Sequence, residues 1–499
     1  MKDRHQAFPS PAAKTPLAMP EIRRGSRSRE NIMFKMLIDG RLTETTSRMQ
    51  VINPSDETVA AEVSNADQTV VDTAVAAAKV AFDSWRKTTI AERQALLCKL
   101  SSVLKDNANE LAEILVKEQG RPLPLAHFEV GLAQRYLDFY AEQSLHVEVL
   151  ADDDNGRVEL HRKPLGVVGA ISPWNAPLYL SLSKVAPALL AGNAVVLKPP
   201  PTSPLTVLRF GELVASIVPA GLLNIVSGGN ETGAALVEHP DVAKITFTGS
   251  TQTGKVIMRA SASSLKRLTL ELGGNDAAIV LPDVDPKSVA PALFGAAFFN
   301  SGQVCAIIKR LYVHDDIYDA LCDELAALAN GSEVGSSPTS QFGPIQNKAQ
   351  LDKVMGYLEE AKKTGKVISG GYRLDRPGYF VALTVVRDIE DGTPLVDEEP
   401  FGPILPIIRF SSIDDVIAKA NRSTLGLGAS VWTKDLDVAS AIASRIDSGT
   451  VWINQHCALD PAIPFPTSKQ SGIGVESGRE GLLEFTAIQV VNINKASAV

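Results

Sequence analysis

Between Gly166 and Gly274 the chain alternates short apolar runs with segments long enough to be helices. The runs are GVVGAIS (166–172), NAVVLKP (193–199), NIVSG (224–228), KITFTG (244–249) and RLTLELGG (267–274), separated by helical stretches such as Ser203 to Val218. Each run is continuously apolar instead of alternating, which demands a strand covered on both faces, and hence a parallel sheet flanked by helices. A doubly wound, dinucleotide-type sheet follows, with ligands at the carboxyl ends of its strands. A second alternating region spans about Asn275 to Ser471, with strands near AAIVL, RLYVH and PILPIIRF. The fold class is therefore α/β, in two halves with a cleft between them.

Ahead of these halves the spacing predicts a short strand over Met36 to Asp39 and then long helices. Val71, Ala74, Val75, Ala78, Phe82 and Trp85 form one apolar stripe at helical spacing. A second helix is expected from about Ala91 to Gly120, where Arg121-Pro122 follows as a stop signal. Residues 1–32 are different. Seven basic residues against three acids, with many Pro and Ser and no apolar periodicity, predict a disordered basic tail. It lacks the apolar core of a secretory signal, and its prolines spoil an amphipathic transit helix.

Charge and cysteine usage narrow the function. The net charge is −8, and a nucleic-acid binder acting through counterion release would be basic, so nucleic acid is not an expected partner. The longest apolar stretch, Val185 to Leu197, is too short for a bilayer span and carries Asn193, so no membrane partner is expected. Cys98, Cys305, Cys322 and Cys457 form no CxxC pair and no zinc-ligand spacing. They predict a reducing compartment, taken as the cytoplasm, and no metal site.

Three motifs carry chemistry. GSTQTGK (249–255) follows a strand and opens a helix, where glycine admits a ligand to the backbone and free N–H groups meet a phosphate. It nearly matches a P-loop, but Val256 stands where the magnesium-binding hydroxyl belongs. Cys305, in FFNSGQVCAIIKR, and Glu271, at the strand end LELGGN, lie on different halves and can serve as nucleophile and general base. Asn175, in ISPWNAP, caps the first strand of the alternating region, where a side-chain amide can donate to an oxyanion. Each also has an inert reading: a buried thiol, a solvated carboxylate, a turn asparagine.

SPWNAP, the lysine of VVLKPP, FTGSTQTG, LELGGN, FFNSGQVC and EEPFGPILP occur in that order. Over about residues 33–497 the chain resembles the aldehyde dehydrogenase superfamily. The resemblance implies NAD(P)-dependent oxidation of an aldehyde to an acid. It implies a Rossmann-like cofactor domain (33–143 and 165–273), an α/β catalytic domain (274–483) and a small oligomerisation element (144–164 and 484–497), hence a homodimer or homotetramer. Carried onto this sequence, Cys305 is the nucleophile, the Asn175 amide and Cys305 N–H hold the oxyanion, and Glu271 activates the hydrolytic water. Lys184 and Glu476 match a proton relay behind Glu271. Lys198 matches a ribose contact; Gly249, Ser250 and Gly254 a pyrophosphate border; Trp174 the same cofactor-adjacent turn; Glu399 and Phe401 the nicotinamide ribose and ring.

One departure bears on the cofactor. Pro201 stands where NAD-preferring members often carry a ribose-binding glutamate, so NAD is expected but NADP is not repelled. Around the substrate, Ala176 and Ser183 replace bulkier aromatics of some members. Phe299 and Phe465 remain as walls, Val304 flanks the thiol, and Tyr179 and His456 are expected polar contacts. A medium or bulky aldehyde follows. Two other readings stand beside this one: an acylating enzyme that passes the acyl group to coenzyme A, and a non-catalytic binding protein on the same fold.

Overall fold

The structure, a computed structural model, describes residues 34–337 and 339–495. The basic tail and residues 496–497 of the small element lie outside these. All five apolar runs form parallel strands: β1 (Val167–Ile171), β2 (Ala194–Lys198), β3 (Leu223–Ile225), β4 (Val242–Thr248) and β5 (Arg267–Glu271). Every residue of β1 and β2 is buried, which is why their runs are continuously apolar. The spatial order is β3-β2-β1-β4-β5. It reverses between β1 and β4, so the crevice for a ligand opens where the turns after those two strands diverge. The residues leaving them are Ser172–Asn175 and Gly249–Ser250, two of the motifs singled out above. Antiparallel strands complete the sheet: Met36–Ile38 beside β3 with Arg41–Thr43 outside it, and Gly472–Ile473 beside β5.

The second sheet is built round four parallel strands, β6 (Asp276–Val280), β7 (Ile308–His314), β8 (Ile404–Phe410) and β9 (Gly428–Trp432), in the order β8-β7-β6-β9. Only four residues separate the end of β5 from the start of β6, so the carboxyl end of the cofactor-type sheet leads straight into the other half. A third, antiparallel sheet joins Glu148–Asp152, Gly156–Pro164 and Thr486–Asn494. Its outer apolar residues Val149, Leu150, Ile488 and Val490 are exposed.

The helices differ from expectation in two places. Gln68–Trp85 buries the predicted stripe, with Ala81 fully in and Phe82 half-buried, and Asp67 caps its first turn. The single helix expected over 91–120 is two, Ile90–Asp106 and Ala108–Gln119. Asn107 leaves helical geometry and its side-chain amide donates to the Val103 carbonyl, ending one helix and starting the next. The helix expected over 203–218 is only Leu205–Val214. Buried Glu118 accepts from the Leu205 and Thr206 N–H groups and sets its start.

Candidate active site

The two sheets meet at an apolar cavity floored by polar groups. Leu125, Phe128, Leu132, Phe299, Val304, Leu459, Ile463 and Phe465 form much of its wall. Asn175, Glu271, Cys305 and Glu476 line the same cavity. The expected nucleophile, oxyanion donor and base, 130 residues apart at the extremes, thus share one chamber.

Glu271 ends β5 and is followed by two glycines. A Cβ at Gly273 would sit 2.5 Å from Glu399 Oε2, and one at Gly274 would sit 2.5 Å from the Cys305 carbonyl oxygen. Both glycines are required by close approach, and they bring the Glu399 loop and the thiol loop against the base strand. Glu271 is buried and its Oε1 has no hydrogen-bond partner. Burial first, and the nearby Glu476 carboxylate second, hold its carboxyl well above the usual range, against the pull of Lys184. Such a group takes up a proton more readily than an ordinary carboxylate and can exchange it with its surroundings.

Lys184 lies on the buried helix Pro177–Leu190, donates to Thr248 Oγ1 at 2.6 Å and forms an ion pair with Glu476. Thr248 and Glu476 both line the cavity, so Lys184 stands one residue behind the wall.

Asn175 is held by a network that the sequence reading passed over. Its carbonyl accepts from the Arg121 guanidinium and from Asn300 Nδ2 at 3.2 Å. Arg121, read only as a stop signal, is buried and paired with Glu129. Glu129 in turn accepts from the Leu178 and Tyr179 N–H groups at 2.9 and 3.2 Å, capping the helix that carries Lys184. The Asn175 amide donates to the Gln303 carbonyl at 3.0 Å, which ties it to the loop bearing Cys305.

Cys305 is half-buried, and burial pushes its thiol up to about 12, with the Lys309 ammonium opposing. The backbone here is unusual. Asn300 and Ser301 ahead of the thiol, and Phe401, Cys457 and Ser477 around it, all have positive φ without being glycine. Such conformations persist only where the surroundings hold them, and they collect at working sites.

Of the residues assigned to a cofactor, Trp174, Gly249 and Ser250 lie in the turns that follow β1 and β4. Lys198, at the end of β2, is buried, and its hydrogen bond is to the Pro199 carbonyl at 3.3 Å. Burial lowers it to about 8. A buried ammonium without a carboxylate fits a ligand's hydroxyls. Ser250 caps Thr251–Ser261, accepting from the Thr253 N–H at 3.2 Å, while Gly249 N–H donates to the Glu271 carbonyl at 3.0 Å. Gly254 lets this helix close on Leu272, whose side chain a Cβ would meet at 2.6 Å. Phe401 and Trp174 meet edge to face at 5.3 Å, and Glu399 accepts from the Gly274 N–H at 3.2 Å. A buried lysine without a carboxylate partner and a helix N-terminus at the switch point fit a dinucleotide.

Most expected substrate residues line the cavity: Ala176, Tyr179, Phe299, Val304 and Phe465. Phe299 meets Phe128 edge to face at 5.9 Å, and the Tyr179 hydroxyl lies 3.3 Å from that of Tyr136. His456 is a correction. It is turned into the second sheet, with Nδ1 2.8 Å from Ser430 Oγ and Nε2 3.5 Å from Asp276 Oδ2. The positive φ of Cys457 redirects the chain, and Cys457 takes the place on the wall. Ser183 is likewise not on the wall; its hydroxyl donates to the Leu180 carbonyl at 3.2 Å.

The aldehyde dehydrogenase family pattern matches residues 42–491. Aldehyde dehydrogenase LUC3 from Fusarium sp is 38% identical over 465 residues, covering 93% of this chain and 99% of its own. Phenylacetaldehyde dehydrogenase from Pseudomonas fluorescens is 39% identical over 472 residues, covering 91% and 94%. Among solved structures, the NAD+ complex of an aldehyde dehydrogenase from Bacillus cereus superposes with a TM-score of 0.91 at 36% identity, covering 93% of this chain and 97% of that one. Family pattern, full-length relatives and superposed fold agree, and the chain belongs to the aldehyde dehydrogenase family, an oxidoreductase that turns aldehydes into acids with NAD(P).

Proposed function

We propose that this enzyme oxidises apolar aldehydes of medium or bulky size through a covalent bond to Cys305, and that Glu271 activates the water that releases the acid. The observation that carries this is the shared apolar chamber of Cys305, Asn175 and Glu271. The Cys305 thiol gives up its proton to solvent, the thiolate attacks the aldehyde carbon, and the Asn175 amide and Cys305 N–H steady the oxyanion. Lys198, Ser250 and Glu399 would hold NAD(P)+, which would supply the hydride acceptor needed for Cys305 to carry the acyl group as a thioester. Glu271, its Oε1 uncommitted, takes a proton from water as the water oxygen attacks the thioester carbon. The carbon–sulfur bond breaks, the acid leaves, and the proton passes from Glu271 towards Glu476 and Lys184.

The wall of Phe128, Leu132, Phe299, Leu459 and Phe465 supports an apolar substrate, since each methylene buried there contributes about 0.8 kcal/mol. NAD is the preferred cofactor in this reading. Pro201 carries no anion to repel a 2′-phosphate, so NADP is accepted as well. The exposed apolar face of the third sheet supports assembly as a homodimer or homotetramer. Four free cysteines support a reducing, cytoplasmic setting. Among the described residues no helix is long and apolar enough to cross a membrane.

The test is cofactor reduction with NAD and NADP in parallel, across short, long and aromatic aldehydes, without coenzyme A. Reduction that is fastest with long or aromatic aldehydes is expected. Turnover that begins only on adding coenzyme A would transfer the enzyme to the acylating class.

A further inference from the structure

We propose that Lys309 is a positioning residue for the nucleophile, fixing the backbone of the Cys305 loop, favouring the thiolate by its charge, and linking that loop to Glu399. The inference rests on the thiol role of Cys305 proposed above.

Lys309 is the second residue of β7, four residues after the thiol, and its side chain is 2% exposed. Nζ donates to the Val304 carbonyl at 2.9 Å and to the Cys305 carbonyl. Two carbonyls flanking the sulfur-bearing residue are therefore held by one ammonium, which fixes the direction of the Cys305 N–H and Cα–Cβ bonds. The same nitrogen lies 3.4 Å from Glu399 Oε1. Glu399 also accepts from the Gly274 N–H, and its loop packs tightly on the thiol loop: a Cβ at Gly302 would fall 2.0 Å from the Gly402 carbonyl oxygen.

Charge makes the arrangement more than a brace. The groups around the Cys305 sulfur are Glu271 at the end of β5, Asp276 on β6, Glu399 on its loop, Tyr179 on Pro177–Leu190, and Cys457. The carboxylates among them oppose ionisation of a thiol that burial has already pushed up, and Lys309 favours it. The ammonium faces Glu399 as well as the two carbonyls, so the thiol's charge state is set by the balance of the cation and that carboxylate.

The experiment is the pH dependence of Cys305 alkylation by iodoacetamide in the full chain, read by mass spectrometry of the Cys305 peptide because four cysteines are present. Lys309→Met is expected to slow alkylation about tenfold below the midpoint, the loss that a rise of about one pH unit in the midpoint gives. Lys309→Arg restores the rate, and Glu399→Gln raises it. A folded Lys309→Met variant with an unchanged rate overturns the proposal, as does a Lys309→Arg variant slowed as much as Lys309→Met, which is what loosened packing alone gives. If Lys309→Met does not fold, Lys309→Gln is read by the same criterion. Slowing of this kind, in a protein that reduces no cofactor with any aldehyde, would keep the role of Lys309 at the thiol and overturn the proposed reaction instead.

Discussion

On the tunnel side of the cleft the buried cations meet partners from the chain itself: Lys184 binds Thr248 and Glu476, and Arg121 binds Glu129, Gln119 and the Asn175 carbonyl. On the cofactor side Lys198 is just as buried, yet its hydrogen bond is to the carbonyl of the next residue. Burying a charge without a partner costs several kcal/mol, so such a group is retained where something outside the chain completes it. The tunnel side has a buried acceptor without a hydrogen-bond partner of its own, Glu271 Oε1. The contrast separates groups that hold the site's shape from groups that wait for a visitor, whether water or cofactor.

The most severe break is on the tunnel side. Cys305→Ala is expected to reduce aldehyde oxidation to background while leaving NAD binding by calorimetry unchanged; residual turnover near wild type would remove the thiol from the reaction. Next comes Glu271→Gln, expected to cut steady turnover by roughly 10²–10⁴-fold while a rapid single burst of reduced cofactor survives. The wild-type steady rate should also rise with pH. Because the folded-state carboxyl of Glu271 sits above the usual carboxylate range, the base form appears only as pH climbs through that raised value. The Gln variant should lose this limb, and a flat wild-type profile would contradict the base assignment. Asn175→Ala should lower kcat by about 10²–10³-fold with cofactor KM little changed.

The cofactor side gives smaller, differently shaped losses. Lys198→Met removes hydrogen bonds from a charged donor worth about 1.5–3 kcal/mol each, so the KM for NAD should rise about 10- to 100-fold with kcat largely kept. A fall in kcat alone would place Lys198 with the shape-holding groups. Smallest is Phe465→Ala, expected to cost a long or aromatic aldehyde about fivefold in kcat/KM and a short one almost nothing.

Legibility in the sequence followed the range of the interaction. The five strands of the cofactor-type sheet were readable because burial on both faces writes itself into consecutive residues. Cys305, Glu271 and Asn175 were readable because each sits in a short glycine- or proline-marked motif. What escaped depends on partners distant in sequence. Arg121 and Asn175 are 54 residues apart, and nothing local in KR at 309–310 announces Glu399. His456 was misread for a related reason: the turn at Cys457 decides which of two neighbours faces the cavity, and no periodicity encodes it. The helix break at Asn107 escaped because asparagine sits mid-pattern, with apolar spacing continuing on both sides.

The small strand Gly472–Ile473 has a temporal consequence. It pairs with Leu270 and Glu271, and Glu476 follows it directly. A ribosome making this protein finishes the sheet that carries the base long before it delivers the strand that borders it, so the nascent chain presents a bare, hydrogen-bonding edge until some two hundred further residues emerge. Competence for catalysis is therefore acquired only when this late segment seats against the earlier sheet, and a chaperone acting on this protein would find its most vulnerable surface there.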